Sequence, residues 1–402
     1  SVSSTTSRHL PLAGLKVLEL GQLIAGPFAT KLLGEFGADV LKIEPPGDGD
    51  PLRKWRILED GTSLWWHVQS RTKRSVTLDL RSREGQAMVR RLVAEADVLV
   101  ENFRPGTLEG WGLGYEVLAE HNPRLIMVRV SGFGQTGPYR DKPGFGVIGE
   151  AMGGLRYLTG QPGEPSVRVG VSIGDSLSAL YAVIGTLLAL QERGRSSLGQ
   201  QIDVALYESV FAMMESLLPE YDAAGQIREP SGSALPGITP SNAYRTRSGD
   251  YVLIAGNGDS IFKRLMGVIG REDLAEDPGL AHNDGRTHRA AEIDDAIETW
   301  TLERDRDVIL TALDNARVPA GYPYTAADIA TDPHYLAREM TQTITRPNGK
   351  SLRVPGVLPR LSATPGRLGS GGPTLGQHTD EVLDELGIDT ETRNKLREAG
   401  II

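Results

Sequence analysis

Residues 15–44 read LKVLELGQLIAGPFATKLLGEFGADVLKIE, and this stretch decides the fold. Leu15, Val17, Leu18 and Leu20 make a short apolar run that Gly21 breaks, the pattern of a buried strand and its exit turn. Pro27 stands where the first turn of a helix tolerates a residue without an N–H. Leu32, Leu33 and Phe36 give that helix an apolar face, and Gly37 stops it. Val40, Leu41 and Ile43 form a second strand that closes at Glu44. A strand, a helix and a strand in so short a span imply parallel pairing and a right-handed crossover.

Outward from this unit the alternation continues. Strands are expected at 75–80, 98–100 and 125–130, with a helix over 83–96. The fold class is therefore α/β, with a doubly wound, mostly parallel sheet. Residues 132–174 are rich in glycine and read as loop with short strands; an apolar helix follows at 177–190, then a strand and helix over 201–218. At 223–241 the composition turns to Gly, Ser and Pro, a linker. A hairpin (243–246 and 251–255) and several helices then make a second, smaller α+β domain. The tail carries isolated strands, a Pro/Gly stretch at 355–373 and a last helix at 380–386.

The chain has 402 residues, 43 basic and 52 acidic, for a net charge of −9. A general nucleic-acid binder neutralises phosphates with Lys and Arg, so this balance argues against one. A single anionic ligand held by a local cluster of cations remains compatible. Cysteine is absent, which excludes disulfides, thiolate metal sites and any cysteine nucleophile. The seven histidines show no metal-ligand spacing, so no metal is expected. No apolar run approaches the ~18 residues of a membrane helix, and residues 1–8 do not read as a signal peptide. The expectation is a cytoplasmic enzyme with no nucleic-acid or membrane partner.

The opening strand, turn and helix, with Glu44 ending the second strand, also fit a dinucleotide-binding unit in which such a carboxylate holds a ribose hydroxyl. The turn 21–27 is not G-x-G-x-x-G, however, and Pro27 lacks an amide donor. Glu44 therefore reads as a plain strand-end carboxylate. No Walker A sequence occurs, which gives P-loop ATP chemistry no support. Arg71, Lys73 and Arg74 lead into a strand, Arg81 lies at its far end, and Arg104 follows another strand directly. Parallel sheets bind ligands beyond the carboxyl ends of their strands. Arg81 and Arg104 are thus candidates to meet phosphates and Phe103 to stack on a base; the alternative is ordinary solvated loop charge. Asp175, between Gly174 and the apolar helix, reads as a helix N-cap or as a nucleophile held ionised by the helix dipole. Pattern alone favours the cap.

A longer set of matches runs in order along nearly the whole chain. It comprises residues 15–20 with Ala25-Gly26-Pro27, residues 37–44, Lys73-Arg74-Ser75 with Leu78-Asp79, residues 100–106 and residues 132–138. Gly174-Asp175, residues 199–204 and residues 375–381 complete it. Together these segments resemble class III (family III) CoA-transferases.

The resemblance implies an interlocked homodimer, each chain threading the ring of its partner. A Rossmann-like large domain would combine residues 1–224 with the returning 326–402, and the small domain with its linkers would span 225–325. The activity implied is transfer of CoA from an acyl-CoA thioester to a carboxylic acid, with acyl-CoA as substrate and no tightly bound cofactor. The family's catalytic residue falls on Asp175, which overrides the cap preference. Its carboxylate would form an acyl-aspartyl anhydride and then an aspartyl-CoA thioester. The resemblance places Ile24 and Ala25 near the pantetheine, Leu78 to Arg81 near the adenine and phosphates, and Asn102, Phe103 and Arg104 along the same molecule. Two positions depart from the family pattern: Pro45 replaces a basic residue, and Phe145-Gly146 replaces a Tyr-Glu or Tyr-Asp pair.

The loop 255–259 reads equally as an oxyanion site or as a helix-entry turn. The nearest rival is an α-methylacyl-CoA racemase, but its histidine position is Phe145 here, which cannot move protons. A non-catalytic CoA- or dinucleotide-binding protein is the third reading. The segments 134–138 and 375–380 look most like subgroups using succinyl-CoA or other short dicarboxylic acyl groups. Arg168 is read as a loop salt bridge in preference to a partner for a distal carboxylate.

Overall fold

The structure is a computed structural model describing residues 9–402; residues 1–8, read above for a signal peptide, lie outside it. Contacts divide the chain into two units. One comprises the residues up to Arg156, Arg168–Ala224 and Pro333–Ile402, and the other Tyr157–Val167 and Gly225–Asp332.

The first unit is built on a six-stranded sheet of β1 (Lys16–Glu19), β2 (Asp39–Glu44), β3 (Lys73–Thr77), β4 (Val98–Glu101), β5 (Ile126–Ser131) and β6 (Gln201–Ala205). Its order is β3-β2-β1-β4-β5-β6, and every pairing is parallel. This is the doubly wound order, with its switch point between β1 and β4. Alternate residues feed two cores. Val17, Val40, Val98 and Val128 meet Ala29 and Leu33 of α1 (Ala25–Glu35). Leu18, Leu41, Val76, Leu99 and Met127 pack with Met88, Val89 and Val93 of α2 (Arg83–Val93). Burial of both faces is why these strands read as nearly continuous apolar runs.

Several boundaries differ from the sequence reading. β3 starts two residues before the expected 75 and ends at Thr77; Leu78 and Leu80 are apolar because they join the core with α2, not because they continue the strand. The stretch 132–174 holds no strand but two short helices, α3 (Gly146–Met152) and Leu155–Leu158. The apolar helix α4 spans Ile173–Ser196, four residues longer at its start than expected. By length and composition alone α4 is long and apolar enough to cross a membrane, contrary to the expectation that no run came close. Ser, Thr and Gly dilute its sequence, and Ala179, Ala182 and Ala189 pack it into the core that holds α1. The C-terminal segment adds α5 (Thr379–Glu385), whose Val382 and Leu383 join the α2 core. α6 (Thr390–Glu398) escaped the sequence reading because TETRNKLRE has no apolar stripe; its start is fixed by Asp389, whose carboxylate accepts from Thr392 N at 2.8 Å.

The second unit is α+β. Its antiparallel sheet joins Ser241–Arg245, Tyr251–Ala255 and Ala320–Gly321, and Tyr244, Val252 and Ile254 pack against Phe262 and Leu265 of helix Asp259–Val268. The loop 255–259 is the entry turn of that helix. Gly256 N donates to Pro240 O at 2.9 Å, and a Cβ on Gly256 would lie 2.5 Å from Leu265 Cδ2.

Candidate active site

The turn after β1 is fixed from two sides. From β4, Asn102 accepts from Gln22 N at 2.7 Å through Oδ1 and donates to Gln22 O at 2.8 Å through Nδ2. A Cβ on Gly21 would meet that Oδ1 at 3.0 Å, so the crossing at the switch point needs glycine. From below, Lys42 Nζ donates to Gly21 O at 3.0 Å, and Leu23, in the left-handed region at φ 66°, donates its N–H to Asp50 Oδ1 at 3.0 Å.

Those anchors belong to a buried layer of charge. Lys42 Nζ lies 2.8 Å from Asp50 and 3.4 Å from Glu19, and Lys73 Nζ lies 3.1 Å from Glu19. Burial works against the Lys42 ammonium, but Asp50, Glu19 and Glu44 outweigh it and hold it charged. Glu44 is gripped by Arg53 at 2.8 and 2.9 Å and by Ser75 Oγ at 2.5 Å. It is a structural carboxylate with no atom to spare for a ribose. Arg71 is likewise spent on Glu35 at 2.9 Å, and Arg74 on Asp39 at 2.9 Å. This half of the basic cluster holds the sheet together.

Above the turn lies a cavity of roughly 450 Å³ whose wall includes Ile24, Ala25, Asn102, Phe103, Arg104 and Asp175. Six of the eight residues singled out from sequence thus converge. Leu78, Arg81 and Phe103 line a smaller hollow of roughly 190 Å³, and both hollows share Gln22 and Phe103. The individual placements sharpen the expectations. Leu78 is a core side chain, 1% exposed. Asn102 has both amide groups committed to Gln22, so it positions the turn. Phe103 packs edge-on against Trp111, with centroids 5.4 Å apart. The Arg81 side chain is 82% exposed, with Asp79 at 3.3 Å.

Asp175 stands in the first turn of α4 but does not cap it. The N-cap residue is Ser172, without a side-chain cap bond. The half-buried Asp175 carboxylate has no hydrogen bond or ion pair among the described residues. Instead it lies against the backbone of α3: a Cβ on Gly146 would come within 2.2 Å of Asp175 Oδ2. Burial, and then the neighbouring Glu150 carboxyl, push Asp175 up to about 6. Glu150, buried on α3 in the same wall, is itself raised by burial against the pull of Arg168 and Arg156. The sequence reading missed Glu150, four residues past Gly146; its only signal was an acid on a helix that lies against Asp175. No histidine lines the cavity, and Phe145 is 70% exposed at its rim. An unpaired carboxylate is present in this wall; a proton-carrying imidazole is not.

Comparison with known proteins agrees. Residues 12–379 match CoA-transferase family III. The chain is 52% identical to succinyl-CoA–D-citramalate CoA-transferase of Chloroflexus aurantiacus over 394 residues, 98% of either chain. It is 37% identical to succinate–glutarate CoA-transferase of Agrobacterium fabrum, over 94% of this chain and 96% of that one. A CAIB/BAIF family protein from Brucella suis, 37% identical, superposes with a TM-score of 0.85 over 94% of this chain and 100% of the other. With these matches spanning both units, the chain belongs to CoA-transferase family III and is a CoA-transferase.

Proposed function

We propose that the enzyme moves CoA from succinyl-CoA to a small dicarboxylic acid, with Asp175 as the covalent nucleophile. The observation that carries this reading is the Asp175 carboxylate, unbonded and facing a cavity beside the doubly wound switch point. The names of the relatives, with citramalate and glutarate among their acids, support the dicarboxylic class.

Each step exchanges one acyl bond for another. The Asp175 carboxylate attacks the thioester carbonyl, the C–S bond breaks, and CoA leaves as thiolate from a mixed anhydride. The thiolate then attacks the aspartyl carbonyl and releases succinate, leaving an aspartyl-CoA thioester. The acceptor carboxylate attacks that thioester and expels the thiolate again. Thiolate attack on the acceptor acyl carbon finally frees Asp175. No proton is gained or lost and no ATP is consumed, which suits a wall with a carboxylate and no imidazole. For CoA, Ile24, Ala25 and Phe103 offer surface along the cavity, with Arg104 and Arg81 as phosphate partners.

An interlocked homodimer belongs to the same proposal. Leu180, Ile184, Leu187 and Leu188 form an apolar stripe along α4 that is 43–66% exposed in the single chain. A second copy would cover it.

A panel of acyl-CoA donors and carboxylic acceptors without ATP, read by the mass of the CoA products, tests the function. Succinyl-CoA with malate- or citramalate-like acceptors is expected to react. Failure of these while long-chain or aromatic acids react overturns the reading.

A further inference from the structure

Four cationic side chains line the Asp175 cavity: Arg104, Arg140, Lys142 and Arg168. Three make contacts within segment 139–142: Arg104 donates through Nη2 to Asp141 O at 2.9 Å, Arg140 Nε lies 3.5 Å from the Asp141 carboxylate, and Lys142 Nζ sits 4.0 Å from the Tyr139 ring centroid. Arg168, exposed on the segment that leads into α4, contacts none of these. Its one hydrogen bond runs from Nε to Val169 O at 3.2 Å. Both Nη groups are without a protein acceptor among the described residues, and no carboxylate lies at ion-pair distance. The loop salt bridge expected from the sequence is not formed.

Its placement gives that free fork a purpose. Arg168 lies on the segment that leads into α4, seven residues before Asp175. Glu150 feels the Arg168 charge, and Asp175 feels Glu150, so one buried carboxyl lies within electrostatic reach of both. An acyl group joined to Asp175 projects into the cavity that Arg168 lines. If that group is dicarboxylic, its second carboxylate loses water on entry and needs a charged, planar partner. A guanidinium with open Nη groups is suited to hold it through two parallel bonds.

We propose that Arg168 binds the distal carboxylate of the dicarboxylic acyl group carried by Asp175. This rests on the transferase mechanism above and names the residue that selects its substrate class.

Acid exchange isolates the contact. Succinyl-CoA with labelled succinate is compared with butyryl-CoA and labelled butyrate, a four-carbon acid lacking the second carboxylate. The wild-type enzyme is expected to favour the succinate pair. Arg168→Gln should lower kcat/KM for succinate by about 10–100-fold, the worth of a charged hydrogen-bonded pair, and lower it at least tenfold less for butyrate. Arg168→Lys should restore part of the succinate rate. Equal losses on both acids, or an undiminished succinate preference in the Gln variant, would overturn the role of Arg168 and leave the dicarboxylate reading standing. A wild-type enzyme without succinate preference would overturn that reading and this proposal together.

Discussion

Two groups of carboxylates near the carboxyl ends of the sheet have opposite surroundings. At β1 to β3, Glu19, Glu44 and Asp50 are each 0–1% exposed, and each has a cation within 3.1 Å. At the α3–α4 contact, Asp175 and Glu150 share a wall with no hydrogen bond to either side chain among the described residues. The first group is neutralised in place and fixes the turn that carries Gln22 to Ala25. In the second, burial and the neighbouring Glu150 carboxyl raise the cost of ionising Asp175, which leaves it partly desolvated and without a cation. A carboxylate is thus neutralised in place or left uncompensated according to whether a cation stands within hydrogen-bond distance.

The contrast breaks most severely if a scaffold cation is removed. Lys42→Met keeps the length of the side chain but leaves Glu19 and Asp50 buried with less compensation. We expect a loss of about 3–5 kcal/mol in urea unfolding, and a loss below about 1 kcal/mol would mean the layer is not the anchor described. A smaller effect is expected at the reactive pair. Gly146→Ala places a methyl where Asp175 Oδ2 now lies, and the carboxylate must swing away. Turnover should fall about 10–100-fold for such a displacement, with the melting temperature little changed. An unaltered kcat would show that this carboxylate position is not the reacting one.

How much of this was legible in the sequence follows from the same contrast. The strand–helix–strand opening was readable because both faces of the sheet are covered, which makes runs such as Val98-Leu99-Val100 continuous. The α6 helix, whose one apolar residue is Leu396, and the glycine-broken α3 were not, since neither shows a periodic apolar face. Asp175 stood out by its place before α4, yet pattern alone favoured a cap, and only the geometry shows Ser172 in that position. Arg71, Lys73 and Arg74 carry no mark of their partners, because Glu35, Glu19 and Asp39 lie 35 to 54 positions away in sequence. Glu150 and the free fork of Arg168 are likewise products of folding.

The smallest expected effect is on pH dependence. With Asp175 as the proposed nucleophile, only its ionised form attacks, so kcat/KM should fall tenfold per unit below about pH 6. Glu150 is the second cause of that raised value, after burial. Glu150→Gln removes the like charge and should move the acid limb downward by less than about one unit. An upward shift, or none, would separate the two carboxyls. The stability sign runs the other way. A carboxyl raised in the folded state contributes stability that is present below its unfolded value and lost as pH rises through about 6. The same variant should therefore be no less stable than the wild type at pH 8.

The central claim is that Asp175 becomes covalently acylated. Incubating the enzyme with succinyl-CoA and hydroxylamine, then mapping peptides by mass, tests it directly. The account predicts acyl-CoA-dependent inactivation with hydroxamate on the peptide carrying Asp175, and transfer lowered by orders of magnitude in Asp175→Asn, because a neutral amide cannot form the anhydride. An unlabelled residue 175, with the Asn variant transferring CoA at close to the original rate, would contradict it.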